Sequence, residues 1–138
     1  MIDTDKKQIS SDLLYSQLTY KVRGALFAVF NELGFGHKEQ IYQHALKKEL
    51  ASKKIPYKQE VYLPIKYRGE NVGNYRPDLV IDEKIIVELK SVEFMPLTYE
   101  TQLLQYLKLT DFKLGLLVNF DRPKLFIKRI IWTLIDTS

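Results

Sequence analysis

Residues 76–91 read Arg-Pro-Asp-Leu-Val-Ile-Asp-Glu-Lys-Ile-Ile-Val-Glu-Leu-Lys-Ser, two runs of branched apolar residues around a polar centre. The runs extend over 74–81 and 85–91, and this pattern predicts two antiparallel strands joined by a tight turn. When the turn is centred on Glu83, residues equally distant from it pair across the two strands. Asp78 then faces Glu88 in the neighbouring strand.

The two faces of this predicted hairpin differ in polarity, because side chains alternate along a strand. One face is entirely apolar and consists of Leu79, Ile81, Ile85, Val87 and Leu89. The other face carries the charged residues, and they gather at the end away from the turn: Arg76, Asp78, Glu88 and Lys90. Carboxylates directly opposed on one sheet face have Cβ atoms about 5 Å apart, and like charges at that spacing are destabilising.

A divalent cation would account for the opposed carboxylates, because Mg²⁺ prefers oxygen ligands and keeps several waters. Lys90, on the same face, could orient a water beside that ion or neutralise charge on a phosphate. The alternative is a cross-strand lattice of salt bridges on a solvated sheet face. A β-bulge at the turn would also separate the carboxylates. Considered by themselves, these residues leave both alternatives open.

The remainder of the chain alternates helical and strand patterns. Apolar residues that recur every three or four positions predict helices over 16–33, 38–52 and 98–109. Runs rich in Val, Ile and Tyr predict further strands over 57–67, 114–119 and 124–132. The order ααβββαββ indicates an α/β fold with one mixed β-sheet flanked by helices.

Composition limits the class of protein. The 138 residues are 46% apolar and 28% charged, which is typical of one globular domain and excludes a wholly disordered chain. We expect a loose polar segment over 1–15 and a single domain over 16–138. No run approaches the roughly 18 apolar residues of a membrane span, and no apolar signal-peptide segment follows the first residues. Cysteine is absent and the net charge is +4, so we expect a cytoplasmic protein without thiolate chemistry that is compatible with a polyanionic partner.

Three motifs resemble one nuclease superfamily. Residues 77–78 (Pro-Asp) and 88–90 (Glu-Leu-Lys), separated by nine residues, match the PD-(D/E)XK signature of restriction-endonuclease-like nucleases. Residues 36–42, Gly-His-Lys-Glu-Gln-Ile-Tyr, fit the GxxExxY motif, which names a bacterial and archaeal family of that superfamily. Residues 102–106, Gln-Leu-Leu-Gln-Tyr, resemble the QxxxY motif on the helix after the lysine strand in RecB-type members. The motifs occur in the expected order, and the resemblance spans 20–132.

This resemblance implies a restriction-endonuclease-like core and a set of site residues. Asp78 and Glu88 would ligate Mg²⁺ or Mn²⁺, and Lys90 would be the catalytic lysine. Glu39 would be the acidic residue that many members place on the first core helix, pointing at the metal, and would thus be a further catalytic and metal-ligating residue.

The spacing of Glu39 gives independent support to this assignment. Glu39 precedes Tyr42 by three residues and Leu46 by seven, which places it on the inward side of its predicted helix. An unpaired carboxylate there is costly, so a partner such as a metal, Lys90 or a structural hydrogen bond is expected. The alternative is that Glu39 simply occupies the first turn of the helix, where the helix dipole favours acids.

Four further residues are assigned to substrate binding or to support of the site: Gln102, Arg76, Tyr106 and His37. Gln102 and Tyr106 are four residues apart and can therefore face the same sheet edge. In RecB-type nucleases the corresponding pair supports the site and contacts substrate, whereas the alternative for Tyr106 is packing in the core. Arg76 can neutralise a phosphate. His37 can meet a metal or a phosphate, although a lone histidine in a loop more often does neither.

We therefore predict a metal-dependent nuclease that hydrolyses nucleic-acid phosphodiesters, with DNA as the expected substrate. The alternative is a non-catalytic nucleic-acid-binding or scaffolding module that keeps the nuclease fold and works in a complex or as a homodimer. A nucleotide-binding regulator is disfavoured, because the chain has no glycine-rich phosphate loop. No membrane partner is expected.

Overall fold

A computed structural model describes residues 14–133, which contain three helices and seven strands. The helices are α1 (Ser16–Leu33), α2 (Glu39–Ser52) and α3 (Thr98–Thr110). The strands are β1 (Tyr57–Lys58), β2 (Leu63–Tyr67), β3 (Glu70–Tyr75), β4 (Leu79–Ile81), β5 (Ile85–Lys90), β6 (Leu114–Asn119) and β7 (Phe126–Ile131). Most of the predicted loose segment 1–15, and the end of the predicted domain, lie outside the described residues.

Five strands form one mixed sheet in the order β1-β4-β5-β6-β7, and this confirms the predicted fold class. Neighbouring strands are antiparallel except β5 and β6, whose parallel pairing uses α3 as the crossover helix. The β4–β5 hairpin has the predicted register, with Leu79 opposite Val87. Its turn consists of the three residues 82–84, as predicted; Asp82 and Glu83 have φ values of 51° and 54°, and the Lys84 N–H donates to the Ile81 carbonyl oxygen at 2.9 Å.

The predicted single sheet and the order ααβββαββ are wrong in one respect, because β2 and β3 form a separate two-stranded hairpin. The predicted strand 57–67 divides into β1 and β2, and Glu60 between them has a φ of 55°, which interrupts an extended chain. The predicted strand 74–81 divides into β3 and β4 around Pro77, which has no N–H to donate to a ladder.

The five-stranded sheet separates two apolar layers. Helices α1 and α2 cover one face, where they pack on the apolar face predicted for the β4–β5 hairpin. Helix α3 and the β2–β3 hairpin cover the other face around Ile86, Leu117 and Ile130. The charged face of the β4–β5 hairpin therefore turns toward α3 and the small hairpin.

The connection between α1 and α2 fixes the start of α2 near the end of β5. Gly34 ends α1, with a φ of 72° and its N–H donating to the Phe30 carbonyl oxygen at 2.8 Å. The Tyr42 hydroxyl of α2 donates to the Gly34 carbonyl oxygen at 2.6 Å. Ser91, directly after β5, donates its hydroxyl to the His37 carbonyl oxygen.

Within residues 14–133, no helix combines the length and the apolar character that crossing a membrane requires.

Candidate active site

Asp78 lies directly before β4, where the antiparallel ladder with β5 ends. Extending the observed register by one residue places Asp78 opposite Glu88. The ladder stops at Pro77, and the Asp78 carboxylate accepts the next backbone hydrogen bond itself, from Leu89 N–H to Oδ2 at 2.7 Å. Gln43 of α2 donates from Nε2 to the Asp78 carbonyl oxygen at 3.2 Å. These contacts hold the backbone and the carboxylate of Asp78 at the end of the β4–β5 ladder.

Glu88 is half-buried on the face of β5 that turns toward α3. Its Oε2 accepts a hydrogen bond from the Tyr75 hydroxyl at the end of β3. The Tyr75 ring stacks on Tyr106 of α3, with centroids 3.8 Å apart and an interplanar angle of 9°. The stacked tyrosines thus join the small hairpin to α3 and orient the carboxylate of Glu88.

The surroundings of Glu88 change its acidity. Burial, the negative charge of Asp78 and a hydrogen-bond interaction with the Asp78 carboxyl group raise its pKa from 4.5 to about 7. The Tyr75 hydroxyl and the Lys90 ammonium lower the pKa, but burial and Asp78 outweigh them. Burial and the neighbouring Glu88 charge in turn raise the pKa of Tyr75 far above 10, so its hydroxyl remains a donor. Two carboxyl groups and one hydroxyl therefore share a site that favours a proton or another cation.

Lys90 extends from the same face of β5, two residues beyond Glu88. Its side chain is half-buried, and Nζ lies 4.5 Å from the ring centroid of Tyr99 in α3. A cation over an aromatic face is attracted to the ring electrons, which holds the ammonium in place.

These side chains line a cleft of about 260 Å³ between β5, the end of β3 and α3. The lining is mostly polar or aromatic and consists of Asn74, Tyr75, Arg76, Glu88, Lys90, Tyr99, Gln102, Leu103, Tyr106 and Leu117. Five of the predicted site residues therefore meet in one cleft. Asp78 is not part of the lining and lies on the adjacent strand, opposite Glu88.

Gln102 and Tyr106 occupy different environments, although they share one side of α3. Gln102 is exposed at the mouth of the cleft. Tyr106 is half-buried and packs with the apolar residues under α3, and its ring also supports Tyr75. Both interpretations of Tyr106 therefore apply, because it packs in the core and borders the site.

The predicted alternative of a salt-bridge lattice does not occur in the part of the chain that the structure describes. No ion pair there joins Arg76 or Lys90 to Asp78 or Glu88. The Arg76 guanidinium instead lies 5.8 Å from the ring centroid of Tyr62. The two carboxylates consequently form no ion pair with these basic residues, although the Lys90 ammonium is near enough to lower the pKa of Glu88.

The prediction that Glu39 faces inward is wrong. Glu39 is exposed in the first turn of α2, and the buried stripe of this helix begins at Tyr42. The dipole of α2 favours a carboxylate at this place, which is the alternative weighed above. Glu39 nevertheless lies one helical turn before Gln43, whose amide bonds Asp78, so it is near the site without joining a metal cluster.

His37 has a structural role in the connection between α1 and α2. Its ring Nε2 donates to the Leu33 carbonyl oxygen at 2.8 Å, and its backbone N–H donates to the Tyr42 hydroxyl at 3.2 Å. The ring therefore satisfies a carbonyl at the end of α1 and does not point its Nε2 at the carboxylates.

The donor set fits a hard divalent cation. Among the described residues, no group of three or more His, Cys, Asp or Glu side chains could hold a metal. The protein ligands available at this site are therefore the two carboxylates of Asp78 and Glu88. Mg²⁺ is commonly bound through one or two carboxylates and keeps several waters, and all the oxygen donors here suit it. A cation would also offset the repulsion that raises the pKa of Glu88.

Three residues near the site were not singled out from the sequence: Gln43, Tyr75 and Tyr99. Gln43 follows Glu39 by four residues, and this spacing could have indicated a second polar group on the same side of α2. Tyr75 and Tyr99 carry no such signal, because their contacts come from elements that are distant in the chain.

The chain is similar to known proteins in sequence and in fold. A family model described as the PD-(D/E)XK nuclease superfamily matches residues 16–130. No curated protein matches significantly. A solved structure described as "Crystal structure of SSO0001" is similar, with a TM-score of 0.52 and 24% sequence identity over 87% of this chain. The match spans 60% of that protein's chain, and at this identity it shows the fold alone.

Proposed function

Because the chain belongs to the PD-(D/E)XK nuclease superfamily, we propose that it hydrolyses phosphodiester bonds of nucleic acid, with Mg²⁺ or Mn²⁺ as cofactor and DNA as the expected substrate. The observation that carries this proposal is the opposition of Asp78 and Glu88 across β4 and β5, with Lys90 two residues farther along the same face. Opposed, partly buried carboxylates are destabilising unless a cation joins them.

Each residue has a role that its position supports. Asp78 and Glu88 would hold the cation, and Glu39, exposed in the first turn of α2, would act beside that pair as the acidic residue of the GxxExxY motif. When bound, such a cation supplies Lewis-acid polarisation of a phosphate and activation of water. Lys90 would place its ammonium beside the phosphate on which negative charge develops.

Substrate contacts would come from the rest of the cleft. Arg76 and Gln102 are exposed and border the cleft, so each can reach a phosphate oxygen. Tyr106 would act as support through Tyr75. His37 is bonded within the α1–α2 connection and would support the site by placing the first turn of α2.

We also assign the chain to the GxxExxY family on residues 36–42. Gly36 has a φ of 97°, a conformation that favours glycine. Tyr42 is buried and bonds the Gly34 carbonyl oxygen, which gives the motif tyrosine a structural role. Glu39, the exposed residue of the motif, is then available for chemistry.

A cleavage panel tests the proposal. Wild type, Asp78→Ala and Lys90→Ala would be incubated at low salt with Mg²⁺, Mn²⁺ or EDTA on single-stranded, duplex and branched DNA and on RNA. We expect metal-dependent cleavage by the wild type that both substitutions abolish. Lys90→Ala should still bind Mg²⁺ in calorimetry, because the carboxylates remain. Lys84→Ala, at the opposite end of the same hairpin, is the matched control and should cleave normally.

Two outcomes would redirect the interpretation. Nucleic-acid binding without cleavage in any metal would favour the alternative, a binding or scaffolding module that keeps the fold. Cleavage by Lys90→Ala at the wild-type rate would show that the role given to Lys90 is wrong.

A further inference from the structure

The β2–β3 hairpin presents large aromatic side chains that its own packing does not require. Its inner side chains Leu63, Ile65 and Tyr75 pack against α3. Tyr62, next to β2, and Tyr67, at the end of β2, remain 62% and 59% exposed. Exposed rings at these positions contribute little to the core and are accessible to a ligand.

An arginine guanidinium lies over each of these two exposed rings. The Arg76 guanidinium lies 5.8 Å from the centroid of Tyr62, and that of Arg68 lies 5.2 Å from the centroid of Tyr67. Arg76 also lines the catalytic cleft. The two tyrosine–arginine pairs thus lie at opposite ends of β2, one beside the cleft and the other at the tip of the hairpin.

Other arginine–aromatic pairs are less accessible or lie elsewhere. Arg23 lies over Phe27 in α1, on the sheet face opposite the cleft, and Phe27 is only 38% exposed. Arg122 lies over Phe126, which is half-buried in β7. Among the described residues, the hairpin alone carries two such pairs, and the arginine of one of them, Arg76, lines the cleft.

The charge of the hairpin complements a polyanion. Residues 62–76 contain three basic side chains, Lys66, Arg68 and Arg76, and one acidic side chain, Glu70. All three basic side chains are exposed. Arginine and lysine at such positions neutralise phosphates, while exposed tyrosine rings stack on bases.

We propose that the β2–β3 hairpin binds single-stranded nucleic acid through Tyr62, Tyr67, Arg68 and Arg76 and leads the strand to the cleft. The proposal rests on the nuclease function and names its substrate class. Stacking requires bases whose faces are free, and the bases of a duplex already stack on one another.

Binding measured without cleavage tests this proposal independently of catalysis. Fluorescence anisotropy in EDTA would compare wild type with Tyr62→Ala/Tyr67→Ala on a short single-stranded DNA, the same sequence as RNA, its blunt duplex and an abasic strand. We expect the double variant to bind the single strands at least about 10-fold more weakly, since each stacked ring contributes strongly to affinity. The abasic strand should bind both proteins equally, because it has phosphates but no bases.

Tyr20→Ala is the matched control, because Tyr20 is 79% exposed on α1. It should bind every probe as the wild type does. Equal binding of single strands by wild type and the double variant would overturn the proposal, as would an equal loss on the duplex or on the abasic strand. Tighter binding of the DNA strand or of the RNA strand would identify which of the two nucleic acids the hairpin prefers. If the proposed nuclease function is wrong, the cleavage panel shows this separately, because the wild type would then cleave no substrate in Mg²⁺ or Mn²⁺.

Discussion

At the scale of single residues, Glu88 links the geometry of the site to a measurable pH dependence. Its pKa rises from 4.5 to about 7 in the folded protein. The folded state therefore binds more protons than the unfolded state between these values, and the free energy of unfolding falls as the pH rises through them. We expect the metal-free protein to lose on the order of 2 kcal/mol between about pH 5 and pH 8 through this group. Thermal unfolding in EDTA at both pH values measures the loss.

Glu88→Gln separates this effect from those of other titrating groups. The variant should lose less stability over the same pH interval, because the amide does not titrate. Mg²⁺ should restore stability near pH 8 in the wild type and not in the variant. Glu83→Gln, in the exposed turn of the same hairpin, is the control and should keep the wild-type profile. Identical profiles for wild type and Glu88→Gln would refute the elevated pKa.

The residue scale also shows which parts of the site the sequence could predict. The opposition of Asp78 and Glu88 follows from one short turn, and a tight turn fixes the register of the whole hairpin. The exposure of Glu39 could not be predicted from its spacing, because the periodicity of a helix does not say where the sheet beneath it ends. Tyr75 was missed for another reason. Its partners Glu88 and Tyr106 lie on other elements, and only tertiary packing brings them together.

At the scale of elements, the contact between α3 and β6 depends on a glycine. A Cβ added to Gly115 would lie 3.0 Å from Leu103 Cδ2 and 3.2 Å from two more carbons of that buried side chain. Overpacking of this kind costs about 1–3 kcal/mol, and alanine recovers roughly 0.5–1 kcal/mol through its lower backbone entropy in a strand. We expect Gly115→Ala to be destabilised by about 1 kcal/mol, measured by urea unfolding.

Gly73→Ala is the matched control in β3. An added Cβ at Gly73 meets nothing within 4 Å, and its φ is not positive, so stability should stay the same or rise slightly. A Gly115→Ala protein as stable as Gly73→Ala would show that Leu103 can move aside at no cost.

Helices were easier to predict than strands for a physical reason. The bounds of α1 match the predicted 16–33, because its apolar stripe and Gly34 mark both the helix and its end. The runs 57–67 and 74–81 each divide between two strands, at Glu60 and Pro77. Composition favours strands throughout these runs, and the pairing that separates β2–β3 from the main sheet is long-range information that a local pattern does not contain.

At the scale of the whole molecule, the five-stranded sheet divides the surface into two sides with different roles. Helices α1 and α2 cover one side, and the cleft and the β2–β3 hairpin occupy the other. The net charge of +4 is small, so long-range attraction alone would not direct a strand to one side. If the chain binds nucleic acid as proposed, local phosphate contacts on the cleft side would supply the orientation.

This argument predicts where the salt dependence of binding originates. The logarithm of the affinity for a single strand falls with the logarithm of salt concentration by about 0.7 for each neutralised phosphate. Replacing Arg68 and Arg76 by alanine together should therefore reduce the slope by about 1.4, whereas Arg23→Ala on α1 should leave it unchanged. Anisotropy titrations over a salt series in EDTA measure both slopes. An equal reduction by Arg23→Ala would mean that the strand contacts both sides of the sheet, and an unchanged slope in the double variant would mean that the hairpin contacts no phosphate.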